Sequence, residues 1–278
     1  MKLLTLNTHS LIEQNYQRKL LDFVRAVSME KPEIIALQEV NQTISAKAVE
    51  GRINEYFPCR DNITIRSDNH VFNAAQLLCK NGVDYYWTYL PIKNGYGRFE
   101  EGLAIMSLNP IIETEIITVS GIDDYNNWKT RKLIGIRTQN YPDEWFFSVH
   151  YGWWDDEEEP FAKQWQKTDM YMKKHNRVWL MGDFNNASDV ANQGYDIILN
   201  SGWYDSYTLA ENKDNGVTVA KAIDGWKDKV SIDIGMRIDQ IWCSQKASVE
   251  SSKVVFNGIN YPIVSDHYGV VIDYDRGD

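Results

Sequence analysis

Two short stretches carry residues that could act on a charged substrate. In "VWLMGDFNNAS", residues 178–188, an apolar run from Val178 to Met181 meets Gly182, and Asp183 and Asn185 follow two positions apart. In "SDHYGVV", Asp266 and His267 stand just before another apolar run. A carboxylate, an amide and an imidazole delivered where a buried strand surfaces can bind a cation, accept a proton or donate to an oxyanion. The placement recurs. Asn7 follows "KLLTL", Glu39 follows "EIIALQ", His150 follows "WFFSV" and Asp239 borders "QIWC". Ligand sites in layered α/β folds gather at strand ends. Hard cations take carboxylate and amide oxygens, and phosphate-ester hydrolysis needs such a cation, a positioned water and a proton donor or acceptor. Singly, each residue reads as a turn, a cap or a satisfied core group. As an ordered series they outline a metal-assisted hydrolytic centre.

The elements that must position them read as an α/β chain. "KLLTLNTH" alternates as a strand with Leu3, Thr5, Asn7 and His9 on one side. Tyr16, Leu20, Phe23, Val24 and Val27 follow helical spacing, Pro32 closes that helix, and "EIIALQEV" is a buried strand. "AAQLLCK", "VDYYWTYL", "GLAIMS", "IIETEIITVS", "RKLIGIRT" and "WFFSVHYG" predict strands. Pro160 opens a helix carrying Phe161, Trp165 and Met172, "VWLMGDF" is a strand, and Ser188 is expected to cap a helix reaching about Leu199 before Gly202. "RIDQIWCS" and "YGVVIDY" supply the last strands. With no repeat and no linker, residues 1–278 are expected to form one domain of mixed sheets flanked by helices.

Composition narrows the function. The 278 residues are 43% apolar and 24% charged, as in an ordinary globular chain, but the net charge is −10. A protein that grips DNA or RNA by its phosphates presents a basic face. The densest basic run here, "KKHNR" from Lys173 to Arg177, sits where a helix should end. Cys59, Cys79 and Cys243 lack the spacing of a disulfide framework or a zinc cluster. The opening lacks a secretion-signal apolar block, and no run is long enough to span a membrane. A reduced, cytoplasmic compartment is expected, with no membrane or nucleic-acid partner, and nothing indicates a protein partner.

In order, "LNTH", "LQEV", "GLAIMS", "SVHYGWW", "GDFN", "RIDQIW" and "SDHYGVV" closely resemble the motifs of the endonuclease/exonuclease/phosphatase superfamily, the fold of pancreatic deoxyribonuclease, across residues 3–274. The resemblance implies a four-layer α/β sandwich, with two central mixed sheets packed face to face and helices outside. It also implies hydrolysis of a phosphate ester by direct water attack with Mg²⁺, or Mn²⁺. By motif, Asn7, Glu39 and Asp266 match positions near the metal, and Asp183 and Asn185 match residues that position water and phosphate. Asp239 matches the carboxylate that orients His267, and His150 matches the second cleft histidine. Glu101 of "FEEGLAI", or Glu100, is expected to orient His150 in the same way.

Within that superfamily the acidic charge disfavours a nuclease, no apolar surface hairpin suggests a membrane phosphodiesterase, and no matched position has been lost as in a binding-only protein. A small phosphorylated substrate is expected. Trp153 and Trp154 follow His150 in "YGWWDDEEEPF", and "DGWKDK", residues 224–229, adds a further Trp. Indole faces stack on sugar rings, while Asp155 to Glu159 either accept sugar hydroxyls or form a solvated turn before the helix. Arg98 and Arg131 are candidates to grip the phosphate. The insert is similar to that of bacterial maltose 6'-phosphate phosphatases, which implies a phosphorylated disaccharide as substrate.

Overall fold

The computed structural model describes residues 1–221 and 235–276. Its strands are β1 (Lys2–Asn7), β2 (Ile34–Thr43), β3 (Tyr86–Gly95), β4 (Phe99–Ser107), β5 (Ile111–Thr118), β6 (Lys132–Thr138), β7 (Tyr141–His150), β8 (Arg177–Asp183), β9 (Tyr204–Asp205), β10 (Asn212–Lys213), β11 (Asp239–Cys243), β12 (Ser248–Val255) and β13 (Gly269–Asp275). The α-helices are α1 (Tyr16–Glu30), α2 (His70–Lys80), α3 (Phe161–Met172), α4 (Gly194–Asn200) and the single turn α5 (Ser206–Leu209). Two mixed sheets result, one of seven strands in the order β10-β12-β13-β1-β2-β4-β3 and one of six in the order β5-β6-β7-β8-β11-β9.

The period of two along each strand separates the layers. Leu3, Ile34, Leu103, Phe146, Trp179 and Ile272 point between the sheets. Leu4, Leu6 and Trp87 face α1 and α2 on one outer side, while Phe147, Val178 and Leu180 face α3 and α4 on the other. Helix, sheet, sheet and helix form the expected four-layer sandwich. Among the described residues no helix is long and apolar enough to cross a membrane.

Following the inner rows toward one end of the sandwich shows how the core becomes a site. Leu3, Thr5 and Asn7 alternate along β1, Phe146, Ser148 and His150 along β7, and Trp179, Met181 and Asp183 along β8. Each row starts apolar and ends in a group that can do chemistry. Between the two regimes lies a buried polar layer. Gln38 Nε2 donates to Ser148 Oγ across the sheets at 2.9 Å, Ser148 donates back to the Leu37 carbonyl at 3.0 Å, and Thr5 Oγ1 is 3.3 Å from Gln38 Oε1. These bonds tie the two sheets together directly beneath the functional end.

Two local expectations fail. "AAQLLCK" is the C-terminal part of helix α2, not a strand. The helical period appears only when the segment is read from His70, because Val71, Phe72, Ala74, Ala75 and Leu78 form the buried face and Asn69 caps it by accepting from Phe72 N at 3.0 Å. Ser188 does not cap α4, which begins six residues later at Gly194. Its hydroxyl instead accepts from Arg237 Nε at 3.1 Å. Gly202 does follow the helix end in the left-handed region, at φ 88°.

Candidate active site

Strand register assembles the floor of the site. Parallel pairing of β7 with β8 sets His150 beside Asp183, and antiparallel pairing of β11 with β8 sets Asp239 on the other side of Asp183. Gly182 lets β7 and β8 approach here, since a Cβ at this position would lie 2.0 Å from the Val149 carbonyl oxygen. The facing sheet brings Asn7 from β1 and Glu39 from β2. Glu39 stands in the left-handed region at φ 50°, within a register shift between Leu37 and Val40. Such a bulge re-aims a side chain, here into the cleft.

These elements converge on one oxygen, Asp183 Oδ2. Asn7 Nδ2 donates to it at 3.2 Å, Asn185 Nδ2 lies 3.4 Å away, His150 Nε2 3.5 Å and His267 Nε2 4.0 Å. Asp183 Oδ1 accepts from Asn185 N at 2.8 Å, closing a tight turn with Asn185 at φ 49°. Asn7 Nδ2 also donates to Glu39 Oε1 at 2.9 Å, so one amide joins two carboxylates. Asp239 Oδ2 holds His267 Nδ1 at 2.9 Å, as expected from the sequence.

The electrostatics follow from this crowding. Burial raises the Asp183 carboxyl above its usual range; the His267 charge opposes this and the Asp239 carboxylate adds to it. Burial works against a charged His267, but Asp239, through its charge and its hydrogen bond, with Asp183 and Asp266, outweighs it and holds the imidazolium well above the ordinary histidine range. His150 goes the other way. Burial, then the charges of Arg131, Lys93 and His267, hold it well below that range, so its imidazole is neutral.

The donor set fits a hard divalent cation. Burial and the neighbouring Glu101 carboxylate push Glu39 up, with Asp266 adding to the effect, although His9 and Asn7 pull against it. Carboxylate oxygens that repel one another in a buried cleft are the environment a divalent ion relieves. Asp266 faces the same cleft, where His9 Nδ1 lies 3.8 Å from its Oδ1 and 2.9 Å from Glu13 Oε1. His9, Glu13 and Asp266 stand close enough to share an ion, as do Asp183, Asp239 and His267.

The cleft has a volume of about 300 Å³. Glu39, Glu101, Arg131, His150, Trp153, Asp183, Asn185, Asp266 and His267 all line it. Three expectations are corrected. Arg98 is exposed in the β3–β4 turn, its guanidinium 4.8 Å from the neighbouring Phe99 ring, and does not reach the cleft. Trp154 turns away and packs on the apolar layer beneath α3. Glu101 does not orient His150; it pairs with Lys93 Nζ at 3.1 Å, and Glu100 pairs with Arg66 Nε at 2.6 Å. The carboxylate against His150 is Asp183.

Sequence reasoning missed Lys93, His9, Tyr96 and Trp128, which also line the cleft. The Trp128 ring lies 5.5 Å from that of Trp153, so the mouth has an aromatic wall. The acidic run serves structure. Asp156 and Glu158 pair with Lys129 Nζ at 2.8 and 2.9 Å, and buried Glu159 accepts from Gly121 N and Ile122 N at 2.8 and 2.7 Å. "DGWKDK" lies outside the described residues.

A sequence model of the Endonuclease/Exonuclease/phosphatase family matches residues 4–267. No curated protein matches the chain by sequence. Among solved structures, a protein of this family from Leptotrichia buccalis is 30% identical, with a TM-score of 0.86 over 99% of both chains. The Bacteroides thetaiotaomicron mannosyl-6-phosphatase Bt3783 is 14% identical, with a TM-score of 0.65 over 99% of both. The 3' phosphatase NExo from Neisseria, bound to a product DNA hairpin, is 18% identical, also at 0.65 over 99% of both. At those lower identities the likeness is one of fold.

Proposed function

The chain belongs to the endonuclease/exonuclease/phosphatase family of metal-dependent hydrolases, and from that premise we propose that it is a phosphomonoesterase acting on a small phosphorylated sugar. Maltose 6'-phosphate or a similar sugar phosphate is the substrate the insert after His150 favours. The observation that carries this reading is the cleft itself, a space of about 300 Å³ whose mouth is walled by Trp128 and Trp153. That is the size and lining of a small-molecule site, and indole faces suit sugar rings. The net charge of −10 adds support, because a long polyanion would be repelled at each phosphate beyond the one being cut. The mannosyl-6-phosphatase with the same fold is a sugar phosphatase by its description.

The chain's own residues divide the work. Asp183, whose carboxyl is raised by burial, accepts the proton of the attacking water. Asn185 and the His267 imidazolium, held by Asp239, donate to phosphoryl oxygens as negative charge spreads. His150 contributes a neutral N–H, and Arg131, at the same end of the cleft, meets the phosphate beside it. A divalent cation held by Glu39, Asp266 and Asn7, Mg²⁺ or Mn²⁺, would supply charge neutralisation at the phosphoryl group.

The test is a phosphate-release screen over sugar phosphates and nucleotides with Mg²⁺ and Mn²⁺, alongside DNA carrying an abasic site. Release from a disaccharide phosphate in preference to the other substrates is expected. Efficient DNA cleavage with no phosphate released from any sugar phosphate would replace the reading with a nuclease.

A further inference from the structure

We propose that Lys93 and Arg131 form a cationic end wall that admits only a terminal, doubly charged phosphate and so excludes phosphodiesters. The proposal rests on the phosphoesterase reading above and identifies the residues that set its substrate class.

Both side chains come from rigid elements. Lys93 lies on β3, and Arg131 is fixed just before β6, where its backbone N–H donates to Ser120 Oγ at 2.8 Å and its carbonyl accepts from Val119 N at 3.0 Å. Both are more than nine-tenths buried, at 8% and 6% exposure. Glu101 pairs with Lys93 at 3.1 Å and is the strongest stabilising charge on Arg131, ahead of Asp183 and Glu39. Gly95 makes room for that carboxylate, since a Cβ there would come within 3.0 Å of Glu101 Oε2. The Arg131 charge also repels that of Lys93 within this dry wall. Arg131 Nε has no hydrogen-bond partner among the described residues, although it is buried. A buried guanidinium N–H left unpaired is a place for an anion to bind.

The shape of the wall says which anion. A phosphomonoester near neutral pH carries close to two charges and three terminal oxygens. A diester carries one charge, two terminal oxygens and a second carbon arm that must leave the site. Lys93 Nζ donates to the Trp128 carbonyl at 3.1 Å, and the Trp128 ring closes on Trp153. A monoester would turn its third oxygen to Arg131 and Lys93, whereas a diester would press an uncharged arm against them.

The test compares kcat/KM for p-nitrophenyl phosphate and for its methyl ester, methyl p-nitrophenyl phosphate, at pH 8 with Mg²⁺. The proteins are the wild type, Arg131→Met, and a Lys93→Met/Glu101→Gln double variant that removes the buried pair together. Taking the ratio of the two substrates on one sample cancels any loss of folded protein. A wild-type ratio favouring the monoester that falls at least about tenfold in both variants is expected, tenfold being about 1.4 kcal/mol of selective binding. A monoester-preferring wild type whose ratio is unchanged in both variants overturns the wall as the determinant and leaves the phosphatase reading standing. A wild type that prefers the diester overturns both.

Discussion

The two ends of the cleft use the same residue in opposite states. β1 and β13 lie over β8 and β11, and this end holds His267 with Asp239, Asp266 and Asp183. β2 and β4 lie over β7 and β6, and that end holds His150 with Lys93 and Arg131. Burial disfavours charge on both imidazoles. Carboxylates overcome it at the first end, and cations reinforce it at the second. The cleft is therefore a dipole across its own floor, with Asp183 between the poles. Composition could not show this, because the contrast depends on which strand faces which.

Predictions test that contrast, beginning with the carboxylates that would hold a metal. Chelation with EDTA should abolish phosphate release, and Mg²⁺ should restore it. Divalent metal should also raise the melting temperature by relieving the carboxylates around Glu39. Full activity in excess chelator would show that these carboxylates need no cation. Next, His267→Asn should lower kcat about 10²–10⁴-fold, the range for a charged proton donor. His150→Asn keeps a neutral donor and should lose about tenfold or less. Equal losses would erase the distinction between the ends. Asp239→Asn combined with His267→Asn should lose far less than the product of the single losses, because the two act as one unit.

A third histidine sharpens the comparison from outside the cleft. His70 is buried against Tyr16, whose Oη lies 3.1 Å from its Nδ1, and burial lowers its pKa from 6.5 to about 4. Here burial sets the direction of the shift. Above pH 6.5 the ring is neutral in both folded and unfolded chains, and the stabilisation is complete. Between pH 6.5 and 4 only the unfolded chain takes the proton, so stability falls as pH falls. The shift corresponds to on the order of 3 kcal/mol. Denaturant unfolding of His70→Gln should show a flatter profile in that window, and an unchanged profile would move the titration elsewhere.

Adjacent tryptophans give a smaller contrast. Trp153→Ala should remove roughly 1–3 kcal/mol of sugar-phosphate binding, by analogy with base stacking, with less effect on a minimal aryl phosphate. Trp154→Ala should leave KM alone and lower the unfolding midpoint, since its ring packs on the layer beneath α3. The reverse pattern would return Trp154 to the cleft.

These cases also show what the sequence could carry. Position at the ends of apolar strands singled out Asn7, Asp183 and His150, and motif order brought Asp239 to His267. Alternation could not tell α2 from a strand within seven apolar-rich residues, because the cap and first turn of that helix lie upstream of "AAQLLCK". It could not separate Arg98 from Arg131, since only the folded β3–β4 turn shows the first to be outside. Lys93 escaped notice because it lies past the predicted strand "VDYYWTYL", where a lone lysine looks solvent-facing until the fold covers it.

The bulge at Glu39 has a consequence for evolution. A side chain held at φ 50° strains the backbone, and this one also places a carboxylate among others. Glycine accepts that conformation freely and carries no charge. Glu39→Gly should therefore inactivate the enzyme while raising its unfolding free energy in metal-free buffer by about 1 kcal/mol, measured by urea denaturation. A drop in stability would mean that the Asn7 hydrogen bond outweighs the strain. If stability rises, drift at this codon runs toward a sturdier, inert protein, and only selection for turnover keeps the acid in place.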